Sequence, residues 1–371
     1  MIENKQYLTK QLITYIGNKR KLIYHIENII MSIKQKLGKD KMVMMDGFAG
    51  SGIVGRMLKQ HASVLYSNDI ETYSYIINKA FLTNKSDIDM IKLTNIIDYL
   101  NSNKLSDKFG QGIIEKYYSP NNTNDVKDGE RCFYTNENAK IIDNIRRLID
   151  DVDEKYKDIC LSLLLYRASV HTNTSGVFKG FYKSKYTKLG KFGGDGENAL
   201  QRIMKDITIE PIILSNFECD TIVHQKNIND LVKTLNNLDI VYYDPPYNQH
   251  PYGSNYHMLN TICDYDEDTL KNISKVSGIP KDWNKSKYNY KASALIEFDN
   301  LIKETKSKFI ILSYNNEGIL SKDDIQNTLA KYGEVQVKII EYNTFRGSRN
   351  LSGRNNKVDE MLWILEKNNV G

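Results

Sequence analysis

Lys41-Met42-Val43-Met44-Met45-Asp46-Gly47-Phe48-Ala49-Gly50-Ser51-Gly52 is the stretch that decides the fold. Its first five residues, KMVMM, form a short apolar run that reads as a buried strand. Glycines at 47, 50 and 52 then allow a sharp turn and let a ligand approach the main chain closely. The amphipathic stretch Ile53 to Gln60 reads as the helix that follows. A second strand, Ser63 to Ser67, ends at Asn68-Asp69-Ile70-Glu71, with a further helix from Glu71 to Phe81. An acid about 20 residues past such a turn occupies the position that binds ribose hydroxyls in nucleoside-binding βαβ units. Asp69 is favoured over Glu71, which already lies at the start of the helix; the competing reading of Asp69 is a helix N-cap.

No GxxxxGK[ST] is present, so the unit implies a nucleoside and not a triphosphate, with NAD and S-adenosylmethionine both open. The second informative stretch is Asp244-Pro245-Pro246-Tyr247, directly after the apolar run Ile240 to Tyr243. Two prolines forbid that strand from continuing, so the acid and the ring are held at its carboxyl end, the edge where open α/β sheets bind ligands. The arrangement suits activation of a planar, conjugated amine. The Asp244 carboxylate and the Pro245 carbonyl each accept one of its hydrogens, and Tyr247 offers a face for a base to stack on. The plain alternative is a strand that ends in a Pro-Pro turn.

Length and composition narrow the class. At 371 residues the chain is long enough for two or three domains. No apolar segment reaches the ~20 residues needed to span a bilayer, and the polar start Met1-Ile2-Glu3-Asn4-Lys5 leads into no signal-like segment. Cys132, Cys160, Cys219 and Cys263 lie far apart without CxxC spacing. They read as reduced structural thiols of a cytoplasmic protein, not as a metal site. The net charge of +5 hints only faintly at a polyanion partner, so its distribution carries the argument.

Strand and helix patterns alternate over residues 1–85 and 206–371, as a doubly wound sheet requires. The carboxyl half supplies strands near Glu218–His224, Leu238–Tyr243, Lys308–Ser313, Glu334–Tyr342 and Lys357–Glu366, the last two reading as an antiparallel hairpin. Residues 86–205 form an insertion with helical periodicity over Ile88–Leu100, Asn136–Ile149 and Lys155–Val170. From Ile159 to Gly194 the insertion contains no acid, while Arg167, Lys179, Lys183, Lys185, Lys188 and Lys191 alternate with aromatics. Basic and aromatic residues on a glycine-loosened loop suit phosphate and base contact. Thr172-Asn173-Thr174-Ser175 adds side chains suited to base edges. A second acid-free stretch, 342–358, carries Arg346, Arg349 and Arg354 and reads as a clamp on the opposite side. Tyr15-Ile16-Gly17-Asn18-Lys19, read alone, is a basic helix start.

Together these pieces resemble the Dam-like, alpha-group DNA N6-adenine methyltransferases in content and in order. YIGNK at 15–19 comes first, then DGFAGSG at 46–52, Asp69, a long insertion, and DPPY at 244–247. Arg131 to Thr135, Asn138-Ala139 and Ile142 to Arg146 resemble the family's "YFT…NA…ID.IR" stretch. Asn248 with Asn255-Tyr256-His257 resembles its extension after DPPY, and Ile310 to Asn315 (IILSYN) its Ser-Tyr-Asn strand. The resemblance implies a Rossmann-like methyltransferase sheet, double-stranded DNA as substrate, base flipping, and recognition by the inserted helical domain. It implies S-adenosylmethionine contacts at Tyr15, Lys19, Asp46, Gly47, Phe48, Gly50, Ser51, Gly52, Asp69 and Asp244. Asp244 would stand between the donor and the target base. Asn227, in HQKNINDL, stands where the family often has an acid, and as a further implied cofactor contact it can still hydrogen-bond the adenine ring. A cognate restriction endonuclease acting separately is a further implied partner. The alternatives left open are an amino-cytosine or RNA methyltransferase, and a catalytically silent DNA-binding partner of a restriction system.

Overall fold

The computed structural model describes residues 2–343 and 357–368. Its strands are β1 (Met42–Asp46), β2 (Ala62–Asn68), β3 (Asp220–His224), β4 (Leu238–Tyr243), β5 (Ser307–Asn315), β6 (Gly333–Asn343) and β7 (Lys357–Lys367). They form one sheet in the order β3-β2-β1-β4-β5-β7-β6. The first five pair in parallel, and β7 lies antiparallel between β5 and β6. The terminal hairpin read from the sequence is therefore present, with its second strand on the inside.

Alternation along the central strands explains why helices cover both faces. Met44, Ile240, Tyr242 and Ile311 point to one face, where they meet Ile26, Ile30 and Ile33 of helix Ile23–Leu37 and Val54 and Met57 of helix Ile53–Leu58. Their neighbours Met45, Val241, Tyr243, Ile310 and Leu312 point the other way, onto Phe298, Leu301 and Ile302 of helix Lys291–Glu304. All six residues of β4 are buried, consistent with an apolar run that does not alternate with polar residues.

The insertion shares its apolar core with its surroundings. Helices Met90–Ser102, Asn136–Asp150 and Glu154–His171 bury Leu93, Ile97, Ile142, Ile145 and Leu164 in one cluster with Tyr73, Ile77 and Phe81 of helix Thr72–Leu82. Ile207, Ile209, Ile212 and Leu214 also lie in that cluster, so the chain rejoins the sheet only at β3. Helix His257–Asp264 packs there too, through Met258, Leu259 and Ile262. The segment after DPPY therefore belongs to the same packed unit as the insertion. No helix of the described residues is long and apolar enough to cross a membrane.

Candidate active site

After β3 on one side of β1, the chain crosses over and lays β4 on the other side. The two glycine- and proline-bearing turns thus emerge from the carboxyl ends of adjacent strands, at the topological switch point. Asp46 is the register partner of Tyr242, and the Gly47 N–H donates to the Tyr242 carbonyl at 2.9 Å. Asp46 is buried, with Oδ2 accepting from the Gly55 N–H at 2.8 Å. Its Oδ1 has no partner among the described residues, and burial pushes the carboxyl up to about 8. Gly50 has a positive φ, and a Cβ there would come within 2.8 Å of the Tyr15 ring. Only glycine allows that approach.

Asp69 closes the turn from the second strand. Its Oδ2 accepts from the Gly50 N–H at 2.8 Å and its Oδ1 from the Glu71 N–H at 3.0 Å. The N-cap residue of helix Thr72–Leu82 is Glu71, which makes no side-chain cap. Glu71 is buried instead, and accepts from Asn260 Nδ2 at 2.6 Å and Asn284 Nδ2 at 3.4 Å. Burial raises its carboxyl to about 7.

At the DPPY turn, Asp244 Oδ1 lies 3.1 Å from Lys19 Nζ, and the same ammonium lies 2.7 Å from Glu360 Oε1. Lys19 and Glu360 are buried, while the Asp244 side chain keeps 18% exposure toward the cleft. Desolvation raises the Asp244 carboxyl to about 7 against the opposing pull of Lys19. Burial disfavours the Lys19 charge, but the two carboxylates hold it well above the usual lysine range. The positive-φ turn at Gly17 and the start of the short helix Lys19–Lys21 bring the Lys19 amine inward, where it is ion-paired to both carboxylates. Lys19 Nζ also sits 5.7 Å from the Tyr247 ring centre, and Tyr314 meets that ring edge-on.

A cleft opens beside these groups. It gathers Tyr15, Phe48, Asp69, Asn227, Asp244 and Pro246 from the sequence-derived set. Tyr15, Tyr252 and Tyr256 form a cluster of three stacked rings, with Tyr15 at 5.0 and 4.9 Å from the other two and those two 6.1 Å apart between ring centres. Those tyrosines grip the loop itself: Tyr256 Oη accepts from the Ile16 N–H and Tyr252 Oη donates to the Ile16 carbonyl. Asn227 caps the short helix Ile228–Leu231 by accepting from the Asn229 N–H, and lines the cleft as well. Sequence reasoning ranked Glu71 behind Asp69 and missed Asn284, Tyr288, Asn289 and Glu360. The segment 284–289 carries no motif, but Glu360 left a signal, an acid opening the apolar run Met361 to Leu365 of a buried strand. His257 is buried with Nε2 at 2.9 Å from the Phe178 carbonyl oxygen, and burial pushes it down to about 4.

The basic loop divides. Lys179, Lys183 and Lys185 are exposed, and Lys183 pairs with Gly190 in an antiparallel bridge whose tip carries Tyr186 at 88% exposure. Arg167 and Lys191 are ion-paired, to Glu210 and Asp195. Thr172 and Asn173 are corrected outright as readers of base edges, since both are buried. Asn173 Nδ2 donates to the Cys132 carbonyl at 2.8 Å, its Oδ1 accepts from the Gly193 N–H at 2.9 Å, and Thr172 donates to the Phe133 carbonyl. They tie the root of the loop to the 131–135 segment. Arg346, Arg349 and Arg354 lie outside the described residues.

A doubly wound sheet with a glycine-rich turn and a DPPY turn at its switch point defines an amino-group methyltransferase. A family model for the D12 class of N6 adenine-specific DNA methyltransferases matches residues 15–328. The chain is 31% identical over 361 residues to the type II methyltransferase M.NlaIII of Neisseria lactamica, covering 95% of this chain and 99% of that one. It is 30% identical to the type II methyltransferase M.CviAII of Paramecium bursaria Chlorella virus 1, over 95% and 98% of the two chains. It is 31% identical to the modification methylase StsI of Streptococcus sanguinis, where it spans 52% of the longer protein. The chain belongs to the D12 class of N6 adenine-specific DNA methyltransferases.

Proposed function

We propose that the methyl donor is S-adenosylmethionine, and that Asp244 and the Pro245 carbonyl hold the amine of an adenine taken out of the duplex. The observation that carries this is the meeting of the 46–52 and 244–247 turns at one cleft, with Asp69, Glu71 and Asp244 on its wall. The cleft chemistry fits the donor. Asp69 and Glu71 suit ribose hydroxyls, and Phe48 and Ile228 offer apolar surface beside Asn227 for the adenine ring. The unpartnered Asp46 Oδ1 suits a cationic amino group. Bound there, the donor supplies an electrophilic methyl group on a positively charged sulfur. Asp244 does the protein's part at the reacting nitrogen: it accepts a hydrogen from the amine, draws the nitrogen out of conjugation, and faces the positive charge that develops. Tyr247 supplies the stacking face. A carboxylate this far inside the cleft meets the base only if the base leaves the helical stack, which is the reason for base flipping.

The test is calorimetric titration with S-adenosylmethionine alone, followed by nucleoside analysis of methylated DNA. An absence of donor binding would overturn the cofactor reading. The raised Asp244 carboxyl adds a prediction. The anionic form is the acceptor, so kcat/KM should fall as pH drops through about 7. An acidic limb at the ordinary aspartate range would remove Asp244 from that role.

The 86–205 insertion is the target-recognition part, with the exposed lysines as its phosphate contacts. Replacing Lys179, Lys183 and Lys185 together by alanine should flatten the dependence of log K on log salt by roughly 1–2 units, at about 0.9 per phosphate contact. Donor affinity should stay unchanged. An unaltered slope would make the loop a solvated surface. In the cell the enzyme serves as the modification half of a restriction-modification pair, with the endonuclease a separate protein. Methylation-sensitive sequencing of DNA from cells expressing the gene tests this and gives the site.

A further inference from the structure

We propose that Glu360 is a positioning residue for methyl transfer: it takes up the charge of Lys19 so that Asp244 faces the reacting amine as an uncompensated carboxylate. The inference rests on the assignment of Asp244 to that amine and goes beyond it. A Lys19–Asp244 pair alone is neutral, and its field at the amine would largely cancel just where positive charge develops. The buried group contains two carboxylates and one ammonium, a net charge of −1 when all are ionised. The ammonium lies closer to Glu360 (2.7 Å) than to Asp244 (3.1 Å). Glu360 is also held by the Ser313 hydroxyl, which donates to the same oxygen, Oε1. Its Oε2 has no partner among the described residues. The surplus negative charge is thus left unneutralised within the site.

Three strands and a loop meet here: Tyr242 on β4, Ser313 on β5, Glu360 on β7, and Lys19 ahead of helix Ile23–Leu37. The charged and titratable groups facing Asp244 are Lys19, Glu360, Tyr242, Asp46 and Tyr252. Of these, Glu360 pushes the Asp244 carboxyl up and Lys19 pulls it down.

The test is Glu360→Gln, which keeps the shape and an oxygen that can accept from Lys19 and Ser313 but removes the charge. It should lower kcat by about tenfold or more, leave KM for DNA and donor near wild type, and move the acidic limb of kcat/KM to lower pH. A slower enzyme with an unmoved limb, or a wild-type kcat, reduces Glu360 to a structural partner and overturns the proposal. Lys19→Met/Glu360→Gln removes both charges and restores a lone anionic Asp244, so it should turn over faster than Glu360→Gln. A double variant no faster than the single one also overturns the proposal. Should Glu360→Gln fail to fold, the double variant is read alone, because the one charge it leaves without a counter-ion is Asp244, whose side chain keeps 18% exposure toward the cleft. Its kcat must then lie within about tenfold of wild type, and a greater loss refutes the idea. Asp244→Ala, run alongside, separates the two levels. If that variant stays active, the reading of the site has failed; if it is inactive and Glu360→Gln is not, only this inference has.

Discussion

Asp244→Ala is expected to lose at least ~100-fold in kcat, about 2.7 kcal/mol of barrier, in line with removal of one preorganised polar group. The loss should fall on the chemical step, with donor and DNA affinities close to wild type, because the side chain acts on the amine and carries little of either binding surface. The fold should survive. Glu360 remains to neutralise Lys19, so no buried charge is left unpaired, and burial already penalises the charged Asp244. Single-turnover methylation by a variant with an unchanged circular dichroism spectrum is the measurement. Near wild-type turnover would remove the DPPY turn from the chemistry.

Asp69→Ala is expected to weaken donor binding by roughly ten- to a hundredfold, as for one to two lost charge-assisted hydrogen bonds. Two effects add. The ribose loses an acceptor, and the Gly50 and Glu71 N–H groups lose theirs, so the glycine turn slackens against the second strand. A fall in melting temperature should accompany the loss. DNA affinity measured without donor should be unchanged, since the insertion is not tied to this carboxylate. Calorimetry that finds intact donor affinity beside a lower melting temperature would make Asp69 a structural brace and pass the ribose to Glu71. Either result would refine the preference for Asp69 that the sequence expressed. That preference had rested on placing Glu71 in the helix, whereas the Glu71 side chain turns back into the cleft.

The strands were legible because their apolar runs are short, β-branched or Met-rich, and bounded by glycine, proline or charge. Leu238–Tyr243 was read residue for residue, and the helices over 136–150 and 154–171 to within a residue or so at their ends. The insertion's helices were legible from periodicity, but their partners were not, since periodicity gives a buried face without saying what covers it. Residues 206–219 and helix His257–Asp264 were assigned to the sheet half, yet their apolar side chains fill the insertion's core. Thr172 and Asn173 failed as base readers for a related reason. Short polar side chains next to a basic loop look available in sequence, and only the fold shows their hydrogen bonds spent on the Cys132 and Phe133 carbonyls and the Gly193 N–H.

The sequence by itself determined the class of sheet, the two turns that carry the chemistry, and their order along the chain. These depend on local rules: glycine where a main chain must turn sharply, proline where a strand must stop, and an acid at a fixed offset. Tertiary structure alone decided that Lys19, Asp244 and Glu360 form one buried group with a single cation between two carboxylates. They come from distant parts of the chain, and they meet because β4 returns beside β1 while β7 inserts next to β5. Charge balance in a site belongs to the set of groups that share the space. No spacing rule in the sequence encodes it.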